Sequence, residues 1–493
     1  MARGFIPIRR DQSVLLPENM NDWVSKNHPV RFFIDVVDEL DLTDFYGSYR
    51  TGAQGRAAYD PKMMVALLLY AYANGIRSSR EIERQIEDHA AFRIITSGDL
   101  IDHATICRFR QTHQQALEDL FVQVVGVCVA AGMVRTTVVA IDGTKIAANA
   151  SQAANASDDQ LKKLAAKIFA EAEAIDQQED GTFGDRRGDE IPEDLVDRAA
   201  RIDFLREELA KRKVPKRGGD KKINKTDPDS RVMKTPDGYV QGYNAQLAVS
   251  GDHFIVAADL TEEANDVNQL EPMIEQTQDN LEAAGAAEIR TVVADAGYLS
   301  ADNVALDVSA GLLISPTTRG DLDDAIKSRP ETNDHADKTA LRRVRHDDHH
   351  RRLIMDAYVA KQVTAREAAS ALHAPIASVY FWAAHLRKHG HLPRVKIYLP
   401  LPGPSASAIM LERLADPESR ATYKLRAQTV EAVIGHLKEH RRLRQFLHRG
   451  RSACRVELRL TAAAQNLRRL GASRNSNPDK GWLPYLLANL HWA

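Results

Sequence analysis

The order of apolar and polar positions divides this chain into stretches of different period. The run PKMMVALLLYAYANG begins at Pro61 behind Asp60, an N-cap with proline at the first helical position, and ends on Gly75, which predicts a helix. Ser78-Ser79-Arg80-Glu81 has the capping-box pattern and opens a second helix. Asp102 caps a third, which carries Thr105, Arg108, Phe109 and Arg110. Short helices joined by tight turns read as a helix-turn-helix-like module or as a small bundle with solvated arginines. From Thr136 the period changes. TTVVAIDG (Thr136–Gly143) and TVVADAG (Thr291–Gly297) are β-branched runs that stop at an aspartate close to a glycine, so each predicts a buried strand delivering a carboxylate to its end.

Between these strands, LKKLAAKIFAEAEAI and PEDLVDRAARIDFLREELAKRK predict two charged amphipathic helices around the polar stretch Glu179–Glu190, a helical hairpin inserted into a sheet domain. A basic link, Lys211–Lys225, follows. GYNAQLAVS and HFIVAADL flank Gly251-Asp252 and predict a β-hairpin. A helix is expected over Asp266–Ala284 and a further strand over Gly311–Ser315. Residues 320–394 are polar and rich in arginine and histidine, with a helix-turn-helix pattern at Thr364–His389 in which Ala368, Leu372, Val379, Trp382 and Leu386 face inward. The alternation of strands and helices predicts a mixed-sheet α/β fold with an all-α N-terminal domain and helical insertions.

Composition changes this picture little. At 493 residues, three or four folding units are expected. The net charge of −2 rules out a uniform basic coat, but the basic residues cluster. Three cysteines without a CxxC pair exclude a cysteine-only zinc site and make a disulfide framework unexpected. His346, His349 and His350 are interleaved with arginines whose charge opposes a cation. The longest apolar stretch, Met63–Ala73, is too short to span a bilayer, and a reducing, cytosolic setting is expected.

The chemistry lies in the two strand-end aspartates. Two Mg²⁺ ions can activate a nucleophilic oxygen and stabilise a leaving oxygen in phosphodiester transfer, and they prefer carboxylate ligands. Asp142 and Asp295 suit that role if their strands are neighbours, because ligand sites in open α/β sheets lie beyond strand ends. Either could equally be an ordinary turn residue. In YKLRAQTVEAVIGHLKEHRRLRQF, Val430, Val433, Ile434 and Leu437 form an apolar helical stripe, with Glu431 and Lys438 on its rim. The basic run from Arg441 and Arg442 to Arg451 is read as an extension of that helix and as a source of phosphate contacts.

These segments resemble the DDE transposases of bacterial insertion sequences, which carry an RNase H-like catalytic core. AIDGTKIAANAS (Ala140–Ser151) resembles the block around the first catalytic aspartate. NKTDPDSRVMK (Asn224–Lys234), GYNAQ (Gly242–Gln246) and ADAGY (Ala294–Tyr298) resemble the blocks leading to the second. YKLRAQTVEAVIGHLK resembles the tyrosine-arginine-glutamate-lysine signature, with Ala432 and Ile434 where proline and phenylalanine are often found. YDPKMMVALLLYAYANGIRSSREIE and DHATICRFR resemble the helical domain that binds element ends.

The resemblance implies Asp142, Asp295 and Glu431 as catalytic residues and ligands of two Mg²⁺ ions, with Mn²⁺ as a substitute. It implies Tyr423, Arg426 and Lys438 as DNA contacts, and Lys145, Arg441, Arg442, Arg108 and Arg110 join them as basic candidates. The implied activity is binding of terminal inverted repeats, Mg²⁺-dependent cleavage at element ends and attack of the freed 3′-hydroxyl on target DNA. The partners are double-stranded DNA and further copies of the chain in a homodimer or higher oligomer, in a cytoplasmic, nucleoid-associated setting. A DNA-binding remnant without activity, or an RNase H-like nuclease without strand transfer, are the alternatives. The expected domains are 1–130 (end binding), 131–320 (first part of the core, with the hairpin at 152–215), 321–394 (helical insertion), 395–470 (glutamate helix) and 471–493 (tail).

Overall fold

The computed structural model describes residues 19–49, 57–183, 193–212, 220–306, 311–317, 341–344, 348–360, 362–364, 368, 382, 383, 386, 397–400 and 405–476. The chain divides into two compact units: Met1–Ala264 with Met273–Ile289 and Ala427–Ala493, and Asn265–Pro272 with Arg290–Arg426.

In the first unit the predicted helices form at Pro61–Ala73, Ser79–Asp88 and His103–Thr112. Asp60 accepts from the Lys62 amide at 2.8 Å, and Asp102 accepts from the Thr105 amide at 2.8 Å, so both caps work as the sequence predicts. The capping box at Ser78 does not form. Ser78 is the N-cap residue but makes no side-chain cap bond, and the Glu81 carboxylate faces Arg442 at 3.4 Å instead. Helix Pro61–Ala73 is buried along nearly its whole length, and it packs with helices Gln114–Ala130 and Arg451–Ser476 around one apolar core.

The sheet of this unit is built on a long strand. We number β1 (Val138–Ala147), β2 (Asn155–Ala156), β3 (Ile223–Asn224), β4 (Arg231–Thr235), β5 (Gly238–Ser250) and β6 (Ile255–Thr261). β5 pairs antiparallel with β1 along one edge, and with β4 and then β6 along the other. The hairpin expected at Gly251-Asp252 is the β5–β6 connection. The predicted insertion is also present: helices Asp158–Phe183 and Glu193–Lys211 pack against each other and against the β2–β3 ladder through Leu161, Ile168, Ile202, Leu205 and Ile223. The tip of that hairpin and residues 213–219 of the basic link lie outside the described residues.

The second unit holds β7 (Thr291–Ala294) and β8 (Gly311–Ile314), which pair in parallel, with helices Ala406–Ala415 and Pro417–Arg426 packed on them. Antiparallel and parallel pairing together give the mixed-sheet core that the sequence predicts. Most of the Thr364–His389 pattern lies outside the described residues. Its described positions Ala368, Trp382 and Leu386 are buried together with Met355, as the inward stripe requires.

Candidate functional site

Asp142 does not stand at a strand end. β1 runs on through it to Ala147, with Asp142 opposite Leu247, Gly143 opposite Gln246 and Ala147 opposite Gly242. The strand does not stop at Gly143, because β5 is long enough to keep pairing past it and continued hydrogen bonding outweighs the freedom of the glycine. The half-buried Asp142 carboxylate accepts from the Gly143 amide at 2.8 Å.

Gly242 is what brings β5 this close. A Cβ there would stand 2.2 Å from the Ile146 carbonyl oxygen, so no side chain fits.

Glu431 lies on a π-helical turn, Ala427–Glu431, rather than in a regular α-helix. The turn follows helix Pro417–Arg426 directly and leads into helix Ala432–Glu439. It packs against β1 and β5, with Thr429 and Val430 buried and Glu431 exposed. Val433 and Leu437 continue the buried stripe, as the periodicity predicts. Asp142 and Glu431 are thus carried by elements that pack on each other.

Lys438 completes this neighbourhood. Burial, and then the Arg444 charge, hold its half-buried amine below the ordinary lysine range; Asp142 pulls the other way and Lys145 adds to the lowering. Asp142, Lys145 and Arg444 therefore all act electrostatically on Lys438.

In the second unit Asp295 directly follows β7, as predicted, and caps a short 3₁₀ turn by accepting from the Gly297 amide at 2.8 Å. Sequence reasoning missed its neighbour Asp266. A Cβ built on Gly297 would lie 2.9 Å from Asp295 Oδ1 and 3.4 Å from Asp266 Oδ2, so both carboxylates border the same glycine. Asp266 was read only as the start of a helix, which begins at Leu270. Nothing in the local pattern marks it, because the approach is made by distant segments. Among the described residues no three His, Cys, Asp or Glu side chains form a ready-made metal group. In donor type, Asp142, Asp295 and Glu431 fit a hard divalent ion.

The basic candidates separate by burial. Arg108 and Arg442 are exposed, Lys145, Tyr423 and Arg426 are half-buried, and Arg442 pairs with Glu81. Two do not present themselves to a ligand as expected. Arg110 is buried and donates to the Tyr72 hydroxyl at 3.0 Å and the Arg77 carbonyl at 2.8 Å. Arg441 is buried and bonds Gln465 Oε1 at 2.9 Å and the Ala73 carbonyl; burial, with Arg468 nearby, pulls its pKa down to about 10. Each satisfies interior carbonyls that would otherwise be left without partners.

The basic run also does not extend the glutamate helix. That helix ends at Glu439, Arg442 takes a positive φ of 56°, and the next helix starts at Arg451. The segment between runs along the end of β1, with Ala147 and Gln445 bridged in parallel and the Phe446 amide bonded to the Ala147 carbonyl at 2.8 Å.

A mixed-sheet core beside a helical N-terminal region is the architecture of the RNase H-like class, which the family matches imply for this chain. Two family models match the chain: Transposase domain (DUF772) over residues 18–112, and Transposase DDE domain over residues 404–471. No curated protein matches it. Both matches are to transposase domains, and together they support a DDE transposase of an insertion sequence. Tyr423, Arg426, Glu431 and Lys438 fall inside the second matched stretch, whereas Asp142 and Asp295 lie outside both. Among the described residues no helix is long and apolar enough to cross a membrane.

Proposed function

We propose that the chain cuts and joins DNA at the ends of its own insertion sequence. The reading is carried by the packing of the Glu431 turn on the Asp142 strand, within a chain that matches a transposase DDE domain at that turn. Asp142, Asp295 and Glu431 are the catalytic carboxylates in this reading. They would hold two Mg²⁺ ions, with Mn²⁺ as a substitute, and the ions would supply activation of the attacking oxygen and stabilisation of the leaving one. Lys438, which feels the Asp142 charge, and Lys145 beside it neutralise the phosphates flanking the cut. Tyr423, Arg426, Arg442 and Arg108 are proposed as further DNA contacts, and residues 1–130 as the part that recognises element ends. Two ends have to be brought together, so a dimer or higher oligomer forms on DNA.

The test is a nicking assay on duplex DNA carrying the terminal inverted repeats that bracket the gene. Asp142→Ala, Asp295→Ala and Glu431→Ala are each expected to lose Mg²⁺-dependent nicking by at least about a thousandfold while keeping end binding within about threefold. Wild-type nicking in any one of them removes that residue from the site. Binding by the wild-type chain without strand scission in Mg²⁺ or Mn²⁺ would instead identify a DNA-binding remnant. Scission without a joined product would identify a nuclease.

A further inference from the structure

Beside the end of β1 the first unit contains a cleft of about 400 Å³ that the catalytic reading does not use. Its polar walls come from Asn149, Gln111, Gln114, Arg110, His448 and Arg449. The segment that carries His448 and Arg449 is fastened from below by one buried acid. Glu457 accepts from the Leu447 amide at 3.0 Å, from the His448 amide at 3.2 Å and from His448 Nδ1 at 2.7 Å, and it pairs with Arg77. Arg77 in turn donates to the Arg442 and Gln445 carbonyls. One carboxylate thus secures both ends of 442–448.

This arrangement leaves side-chain nitrogens for a ligand: the Arg449 terminal N–H groups, and His448 Nε2, which donates in the imidazolium form. With Nδ1 held by Glu457, His448 Nε2 has no hydrogen bond to any described residue. Among the described residues Arg449 spends only Nε, on the Asn149 carbonyl at 3.1 Å, so its two terminal nitrogens remain for a ligand. The Glu457 charge is matched inside by Arg77, so the exposed Arg449 leaves the cleft mouth cationic. Amide side chains, an imidazole nitrogen and a free guanidinium fork suit a phosphodiester.

We infer that this cleft is a second seat for the DNA backbone, taking a phosphate of the same duplex whose scissile bond lies at Asp142. The inference rests on the proposed function for the presence of DNA. Seven residues of extended chain separate Asp142 from Asn149, at most about 23 Å, which corresponds to no more than about seven base steps along one strand. One bound duplex therefore reaches both places.

The test reads binding alone, without divalent ion. Full-length protein is titrated by fluorescence anisotropy with a labelled random-sequence duplex of about 30 base pairs at several salt concentrations. Arg449→Ala is expected to weaken binding about fivefold to tenfold and to reduce the slope of log affinity against log salt by about 0.9, the loss of one phosphate contact. Arg449→Lys should restore most of the slope, and His448→Ala should weaken binding by a smaller factor. Arg198→Ala, which removes an exposed cation on the inserted hairpin, should leave the slope unchanged. An unchanged slope in Arg449→Ala, or an equal fall in Arg198→Ala, overturns the cleft and leaves the catalytic assignment standing. Failure of the wild-type chain to bind duplex DNA overturns both.

Discussion

Individual side chains make the site brittle in distinct ways. Glu457 is fully buried, and removing its charge strands Arg77 and loosens the 442–448 segment together. Glu457→Ala is expected to cost about 3–5 kcal/mol of stability, read by urea unfolding. Burial alone would push this carboxyl up, but the His448 bond and charge, then Arg77 and the Leu447 amide, outweigh it and hold the group below its ordinary value of 4.5. A depressed acid contributes its stability above that ordinary value and loses it as pH falls through the folded value. The wild-type advantage over Glu457→Gln should therefore be full at neutral pH and shrink on acidification below 4.5, in unfolding curves taken across that range. The two special glycines fail differently. At Gly242 the obstacle is backbone, so Gly242→Ala should destabilise the sheet outright. At Gly297 the nearest atom is the Asp295 carboxylate, which can swing away. Gly297→Ala is thus expected to fold with near-normal thermal stability and to nick DNA far more slowly; normal nicking would mean that the Asp295 rotamer does not matter.

Among the elements, the π-helical turn is the one most exposed to a single change. π-turns hold one residue more than the α-helix around them and often sit at functional positions. Deleting Gln428 should return the turn to α geometry and draw Glu431 one residue closer to Tyr423 along the chain. Helix content measured by circular dichroism should survive and DNA nicking should not. The helices, the hairpin insertion and the β5–β6 ladder were legible in the sequence because caps, proline and period are local signals. Asp295 was legible for the same reason, its strand being short and closed by a tight turn. Asp142 was misplaced because strand length is set by the partner: nothing within Thr136–Gly143 announces that β5 continues opposite it. The π-turn was invisible because the apolar stripe from Val430 to Leu437 keeps its α period and the extra residue lies upstream. Arg110 and Arg441 read as surface cations because charge patterning does not reveal a buried carbonyl in need of a donor. Asp266 belongs with these: its approach to Gly297 is tertiary.

At the scale of the whole chain, the two segments matched as transposase domains interlock. Arg77 from the first pairs with Glu457 from the second, Arg441 bonds Ala73, and just beyond the first segment Glu118 holds Arg455 and Arg459 at 3.0 and 3.1 Å. Helix Pro61–Ala73 has Leu67, Leu68 and Leu69 fully covered, and helix Arg451–Ser476 packs directly on it. A fragment ending at residue 426 would lack that covering helix, and it is expected to be recovered mostly as aggregate, while co-expression with residues 427–493 should return soluble protein. Pulldown and light scattering would settle this; a monodisperse 1–426 fragment would show that the N-terminal helices close their core unaided. Such interlocking also ties maturation to synthesis. A ribosome has to pass residue 457 before Arg77 can meet its carboxylate, so the core around helix Pro61–Ala73 stays open on the nascent chain until the second segment is made. A product that stops short of residue 457 therefore leaves Arg77 without its carboxylate and helix Pro61–Ala73 without its covering helix.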